Sequence, residues 1–395
     1  MKAWSIKSNK KENILALGAE SDGNFSFYKE GTIYFVDGFG DLLYEKNFQE
    51  FKKSILEFIE KNGRPDIIIS DLHPLFSTTK WGKELANEFG ADFMQVQHHL
   101  AHIYSAVGDS INTQSCHSER SSSGAEESLS NEGKGFLHLP LCGVGRNDKQ
   151  EFIGIACDGT GYGFDEKIWG GEVFEFSKGK VKRVGHLENQ ILLGGELAIK
   201  EPARMLISIL GKFLEKEEVY GFVKEYYDKN QFELLWNQWK DGFNCLEASS
   251  IGRVLDAVSV LLGFSGNERA YKHAPIDSLE KNSGEPYEIE PVIKAKNDIF
   301  ELKTTPLFEY LVKNLDKDKK RLAATTQMYL AKGLWEICQK IGAKRQIFFA
   351  GGVANNKIIS EYLISRGVIV SQEVPRGDAG ISFGQIIYYL TNARD

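Results

Sequence analysis

Phe93-Met94-Gln95-Val96 is a short, largely apolar run, and Gln97-His98-His99-Leu100-Ala101-His102 follows it directly. The first stretch reads as a strand and the second as the opening of a helix. Four residues make about one helical turn, so His98 and His102 project from the same helix face. Two neutral imidazoles at that spacing can chelate one divalent metal. A buried strand feeding such a helix is a unit of an α/β fold, and the rest of the chain can be read outward from it.

Upstream, Ile14-Leu15-Ala16-Leu17 leads into Gly18-Ala19-Glu20, and Phe25, Phe27, Ile33 and Phe35 alternate as strand residues do. Phe48, Phe51, Ile55, Phe58 and Ile59 follow helical spacing. Pro65 and Asp66 introduce a buried strand at Ile67-Ile68-Ile69, and a helix is expected over 79–89. A first lobe over 12–108 is therefore predicted as three strands followed by α, β, α, β, α. His73, in Asp71-Leu72-His73-Pro74, is read as a structural hydrogen-bonder.

Downstream, residues 109–150 lose apolar periodicity. Cys116-His117-Ser118-Glu119-Arg120-Ser121-Ser122-Ser123-Gly124 opens a small, polar, charged stretch, expected to be a disordered low-complexity insertion in which Cys116 and His117 form no site. A second lobe over 151–392 begins at Phe152-Ile153-Gly154-Ile155-Ala156-Cys157-Asp158. Strands are expected near 168–176 and 181–187, a mostly helical insertion over about 197–300, helices at about 305–315 and 320–341, a strand ending at Gly351-Gly352, a short strand at Val368-Ile369-Val370, and a last helix from about Ala379. Strands first and α/β crossovers after, twice over, predict a duplicated α/β fold.

Composition narrows the function classes. With 395 residues, 42% of them hydrophobic, the chain can bury a core large enough for two lobes. A net charge of −7 argues against a broad nucleic-acid footprint. No apolar run approaches the ~18 residues of a membrane helix, and the N-terminus lacks the apolar segment of a secretion signal. The five cysteines are scattered and form no C-x-x-C pair, which fits a reducing cytoplasm.

Four further motifs can carry chemistry. Cys157-Asp158-Gly159-Thr160-Gly161-Tyr162-Gly163 ends a strand with three glycines that let backbone approach an anion, although Asp-Gly is also a hairpin signal. Leu193-Gly194-Gly195-Glu196 precedes a helix and reads first as an ordinary loop and cap. Phe349-Ala350-Gly351-Gly352-Val353-Ala354-Asn355-Asn356 has the strand, glycine pair and helix start of a nucleotide-binding turn, with Asn355 as a polar contact. Asp378, in Gly377-Asp378-Ala379-Gly380, stands where it can cap the last helix, ligate a metal, or both. His98, His102, Asp158 and Asp378 make a set of two imidazoles and two carboxylates, which suits zinc, iron or manganese with positions left open for substrate.

In their order, these segments resemble the C-terminal carbamoyltransferase domain of the HypF family, related to the universal tRNA threonylcarbamoyl transferase. The matching stretches are Leu15–Glu20, Asp71–Pro74, Val96–Ile103, Asp158–Gly163 with Ile168–Glu172, Gly194–Glu196 with Glu201–Pro202, Gly252–Gly263, Gly351–Asn355 and Asp378–Gln385. The resemblance implies a duplicated actin-like, ribonuclease H-like (ASKHA) fold with a nucleotide in the cleft between its lobes. It implies that His98, His102, Asp158 and Asp378 surround a metal, and that Gly161, Gly163, Gly195, Gly351, Gly352 and Asn355 border ATP or carbamoyl-adenylate. It further implies transfer of a carbamoyl group from the adenylate to the C-terminal cysteine thiolate of a HypE-like acceptor, in hydrogenase maturation. Members of the family carry acylphosphatase, zinc-finger and YrdC-like domains ahead of this region; the expectation here is an adenylate made in trans by a YrdC-like protein. The chain departs from the family pattern at Asp22, where lysine is usual, at Leu100, where histidine is usual, at Lys272 and Pro275, in a segment that normally holds a glutamate, and at Thr326-Gln327, where Phe-His is frequent. An inert nucleotide- and metal-binding paralogue with a regulatory role is the alternative, and a tRNA threonylcarbamoyl transferase the third reading.

Overall fold

The computed structural model of the chain describes residues 1–121 and 151–392, with the α3 side chains described as far as residue 111. It divides into two compact units, Met1–Lys149 with Ser371–Asp395, and Gln150–Val370.

In the first unit, β1 (Lys2–Ser5), β2 (Ile14–Ala16), β3 (Phe25–Lys29) and β4 (Thr32–Val36) precede α1 (Glu45–Asn62), β5 (Ile67–Asp71), α2 (Ser77–Phe89), β6 (Asp92–Val96) and α3 (His98–Ser121). The sheet order is β1-β4-β3-β2-β5-β6, with β5 and β6 parallel to β2 and the others antiparallel. Alternation places Phe25 and Phe27 of β3 on the face that packs against Phe51, Ile55 and Ile59 of α1. The C-terminal helix Ile381–Asn392 lies on α3 and approaches the sheet, with Phe383 against Trp4 at 5.0 Å between ring centroids.

The second unit repeats this plan. Strands β7 (Phe152–Tyr162), β8 (Ile168–Ser177) and β9 (Lys180–Leu187) form an antiparallel meander. Next come β10 (Gln190–Leu193), β11 (Cys245–Ala248), β12 (Ile293–Lys296), β13 (Ile299–Leu302), β14 (Gln346–Ala350) and β15 (Ile369–Val370). The sheet runs β12-β13-β9-β8-β7-β14-β15, with β14 parallel to β7 and β15 parallel to β14. The strand orders β4-β3-β2-β5-β6 and β9-β8-β7-β14-β15 are the same 3-2-1-4-5 arrangement with the same sense. The fold is a duplicated actin-like one, as the sequence leads one to expect.

Four expectations need adjusting. Lys2–Ser5, outside the expected 12–108 lobe, is a strand because Trp4 and Ile6 are buried against the sheet. The C-terminal helix belongs to the first unit, because its apolar side packs on α3 there. The stretch over 197–300 is not only helical: Cys245–Ala248 pairs with β10, and β12 and β13 form a hairpin. Residues 109–121 continue α3, while 122–150 of the expected insertion, and the side chains of Cys116 and His117, lie outside the described residues. No helix among the described residues is long and apolar enough to cross a membrane.

Candidate functional site

Two parallel strands and the helix after them build the first unit's site. Asp71, the last residue of β5, stands opposite Val96, the last of β6, and α3 opens two residues later at His98. That register brings Asp71 Oδ2 to 2.7 Å from His98 Nδ1, and the other oxygen of Asp71 accepts the His73 N–H at 2.9 Å. A carboxylate only accepts, so the chemistry assigns the proton to His98 Nδ1 and leaves a lone pair on Nε2. Nε2 faces Asp378 Oδ1 at 3.5 Å, and His102 Nε2 faces the same oxygen at 3.4 Å. The two imidazole planes are nearly perpendicular, with centroids 4.7 Å apart. Asp71, His98, His102 and Asp378 are all buried.

Asp378 is brought there by the C-terminal helix. A Cβ on Gly384 would overlap the Ala101 carbonyl oxygen, so only glycine lets this helix lie so close to the first turns of α3. The loop after β2 secures the other side. Ser21 Oγ donates to Asp378 Oδ2, Asn24 Nδ2 donates to the Asp378 carbonyl at 2.9 Å, Asn24 Oδ1 accepts the Ser382 N–H, and the Gly18 N–H donates to Gln385 Oε1 at 3.0 Å. Asp378 heads the short 3-10 turn Asp378–Gly380 that leads into the last helix, and its carboxylate is turned to the histidines.

The donor set fits a metal. Charge-assisted hydrogen bonds close to about 2.7–2.9 Å, whereas the two His–Asp378 separations are 3.4 and 3.5 Å. Donors that each stand ~2.1 Å from a tetrahedral ion are about 3.4 Å from one another. Two imidazole nitrogens and a carboxylate oxygen therefore sit at ligand spacing, with Asp71 behind His98 as the outer carboxylate common at such sites. Asp71, Ser21 and Asn24 hold this set in place, and the sequence reading did not single them out. The one available signal was a carboxylate ending the strand that precedes the histidine strand.

In the second unit Asp158 ends the buried part of β7. The β7–β8 register shifts between Cys157 and Gly161, so Asp158, Gly159 and Thr160 bulge from the ladder. The hairpin turn comes later, where the Gly163 N–H donates to the Lys167 carbonyl. The Asp-Gly pair is thus a bulge and not the turn. Asp158 Oδ1 accepts the Gly159 N–H at 2.7 Å, and a Cβ on Gly352 would stand 3.0 Å from the same oxygen. Gly351, at φ 101°, has its α-carbon so close to the Cys157 carbonyl that a side chain would overlap it.

The structure brings His98, His102 and Asp378 together in one unit, and Asp158, Gly351 and Gly352 together in the other. Gly161 pairs with Trp169 further along the hairpin, and Gly163 leaves room for the Trp169 indole. Gly195 lies in a separate turn against Asn244 and Leu246, ahead of a helix of only four residues, Leu197–Lys200. Asn355 is exposed, and its side-chain amide donates to the Gly352 carbonyl at 3.3 Å. Its neighbour Asn356 is the buried cap, accepting the Ile359 N–H and donating to Gln327. Beside Asp158, burial pushes the Cys157 thiol well up, with Glu172 and Asp158 adding to the shift, so it stays protonated.

Comparison with known proteins gives a consistent likeness. Residues 154–385 match the family model described as "Carbamoyltransferase, Kae1-like Domain, second subdomain", and residues 9–109 match "HypF Kae1-like domain". The chain is 37% identical to the "Probable carbamoyltransferase HypF" of Methanocaldococcus jannaschii, across 98% of this chain and 47% of that protein. The crystal structure of T. kodakarensis HypF superposes with a TM-score of 0.79 at 28% identity, covering 98% of this chain and 48% of that one. A full-length HypF crystallised in a phosphate- and nucleotide-bound form shares the fold, with a TM-score of 0.80 at 24% identity over 100% of this chain and 48% of that one. The chain spans about half the length of these relatives.

Proposed function

Because the chain belongs to the HypF Kae1-like carbamoyltransferase family, we propose that it moves a carbamoyl group from carbamoyl-adenylate to the C-terminal cysteine thiolate of a HypE-like acceptor, as a step of hydrogenase maturation in the cytoplasm. In this reading a YrdC-like activity supplies the adenylate. The observation that carries the reading is the buried His98–His102–Asp378 set held at ligand spacing. His98, His102 and Asp378 would hold a divalent zinc, iron or manganese ion. When bound, such an ion supplies Lewis-acid polarisation of an acyl or phosphoryl oxygen.

The chain's own residues have distinct tasks. Asp71 holds His98 in the tautomer that keeps Nε2 a donor of electrons. Ser21, Asn24 and the Gly384 contact fix Asp378 against movement. The Gly351–Gly352 turn, with Gly161, Gly163, Gly195 and Asn355, would border the nucleotide. The acceptor thiolate attacks the carbamoyl carbon, a C–S bond forms, the mixed-anhydride C–O bond breaks, and AMP leaves with the bonding pair. Cys157, buried and protonated, is no competitor for that attack.

The test is incubation with labelled carbamoyl-adenylate and a HypE-like acceptor. Label should reach the acceptor with the native chain and fail to do so with His98→Ala and Asp378→Ala. Undiminished transfer by both variants removes the metal role. Nucleotide and metal binding without any transfer by the native chain identifies the inert paralogue.

A further inference from the structure

The second unit contains a buried charge cluster that the reading above does not use. Arg253 lies in the first turn of the helix Ile251–Leu261 and is only 5% exposed. Its Nη1 is 3.1 Å from Asp256 Oδ2, and Arg269 Nη2 bonds the same carboxylate oxygen. Two guanidinium groups and one carboxylate leave a local charge of +1 in a buried place. The buried Nε of Arg253 and Nε of Arg269 have no acceptor among the described residues. Burial and the neighbouring Arg253 lower Arg269 to about 10, so it remains a cation at neutral pH. A buried excess cation is costly unless an anion joins it.

Arg253 reaches the glycine bulge, where the buried Asp158 carboxylate also stands. Arg253 Nη2 comes within 2.9 Å of where a Cβ on Gly159 would stand. The helix carrying Arg253 is stapled to the same backbone, since Ser250 Oγ donates to the Gly159 carbonyl at 2.5 Å and accepts the Arg253 N–H at 3.1 Å. A Cβ on Gly252 would stand 2.8 Å from the Gly159 α-carbon. The bulge, a helix N-terminus and a guanidinium with unused N–H groups therefore converge. That combination suits a phosphoryl group, which accepts several hydrogen bonds at once.

We propose that Arg253 contacts the phosphoryl group of the nucleotide at the Asp158–Thr160 bulge, and that Arg269, through Asp256, supplies the unneutralised charge that makes this contact favourable. The substrate class rests on the adenylate reading above. As the mixed anhydride breaks, negative charge grows on the departing AMP phosphate, and Arg253 stabilises it there.

The test compares the full native chain with Arg253→Gln, Arg253→Lys and Arg269→Gln in equilibrium titrations with AMP, with adenosine and with inorganic pyrophosphate. The pyrophosphate titration is run in chelator, so that no metal–phosphate contact contributes. Arg253→Gln should weaken AMP and pyrophosphate by about 10- to 100-fold while adenosine binding stays unchanged. Arg253→Lys should recover part of the loss, since it keeps the charge without the fork. Arg269→Gln leaves Asp256 to Arg253 alone, cancels the local charge, and should weaken AMP several-fold without touching the bulge. A purely structural Arg253 would lower the melting temperature and leave the ratio of AMP to adenosine affinity alone, which overturns the inference and spares the nucleotide reading. Pyrophosphate binding that depends on Arg253, with neither AMP nor adenosine bound, sustains the anion site and removes the nucleotide reading. No pyrophosphate or AMP binding by the native chain overturns both.

Discussion

The two units share a strand order and differ in what stands at the strand ends. In the first, β5 ends in Asp71 and β6 delivers His98, so the carboxyl edge of the parallel strands carries a carboxylate and imidazoles. In the second, Gly351-Gly352 follows the equivalent β14, and β7 is interrupted by a bulge at Asp158-Gly159. Ligands of open α/β sheets collect outside the carboxyl ends of the strands. The topology therefore opens the same kind of place twice, and side chains decide its use. Donors that converge at 3.4–3.5 Å suit an ion, whereas glycines that let backbones touch suit the bulk of a nucleotide. The donor arrangement of the first unit and the close backbone approaches of the second are separate properties, and variants can probe each by itself.

Breaking the donor arrangement gives the largest effect. Asp71→Asn leaves a side chain of nearly the same shape, but its amide can donate towards Nδ1 and so favour the wrong tautomer of His98. Loss of such an outer-shell carboxylate costs about 10- to 100-fold in metal affinity. Competition against a chelator with zinc or manganese measures this. Native affinity in Asp71→Asn would mean that the Asp71–His98 pair is only a packing device, and the contrast between the units would lose its chemical content.

Next in size are the close backbone approaches, one per unit. Gly384→Ala pushes a methyl group into the Ala101 carbonyl of α3, and Gly351→Ala forces φ 101° on a residue with a side chain and pushes it into Cys157. Overpacking of this kind costs about 1–3 kcal/mol, with strain at such a φ of similar order. Urea unfolding should show comparable losses for both. Only Gly384→Ala should also weaken the pairing of Asp378 with the two histidines, which metal titration reads. Equal metal affinity in Gly384→Ala and the native chain would show that Asp378 is held by Ser21 and Asn24 alone.

Much of this was legible before any coordinates. The i, i+4 spacing of His98 and His102 is a local property of a helix, and the strand before it is a local apolar run. The glycine pair at 351–352 and the carboxylates 158 and 378 were readable as residues at the ends of elements. The supporting residues depend on register and long-range contact instead. Asp71 meets His98 only because β5 and β6 align Asp71 with Val96. Ser21 and Asn24 reach Asp378 across more than 350 residues of chain, and Gly384 looks like any helix glycine until α3 is laid against it. The strands at 245–248 and 293–302 were lost for a similar reason. They are four residues each, and pairing makes them strands where periodicity does not.

The smallest expected effect lies where the second unit has grown beyond the shared plan. Glu188 follows β9 and accepts the N–H groups of Thr304 and Thr305 at 2.9 and 2.8 Å, at the head of the helix Thr305–Lys313, while its other oxygen pairs with Lys303 at 2.8 Å. Burial alone would raise its carboxyl. The Lys303 ammonium, the Thr305 N–H and Lys212 outweigh burial and hold it below 4.5. A carboxyl depressed in the folded state adds stability above its unfolded value and loses it as pH falls through the folded one. Glu188→Gln should therefore be less stable than the native chain at pH 7, and the gap should shrink as pH falls below 4.5. Denaturant midpoints at neutral pH and near pH 3.5 measure it. A gap that stays constant would mean that Glu188 acts through the shape of its hydrogen bonds, which glutamine keeps in part, and that this anchor of the second unit is not electrostatic.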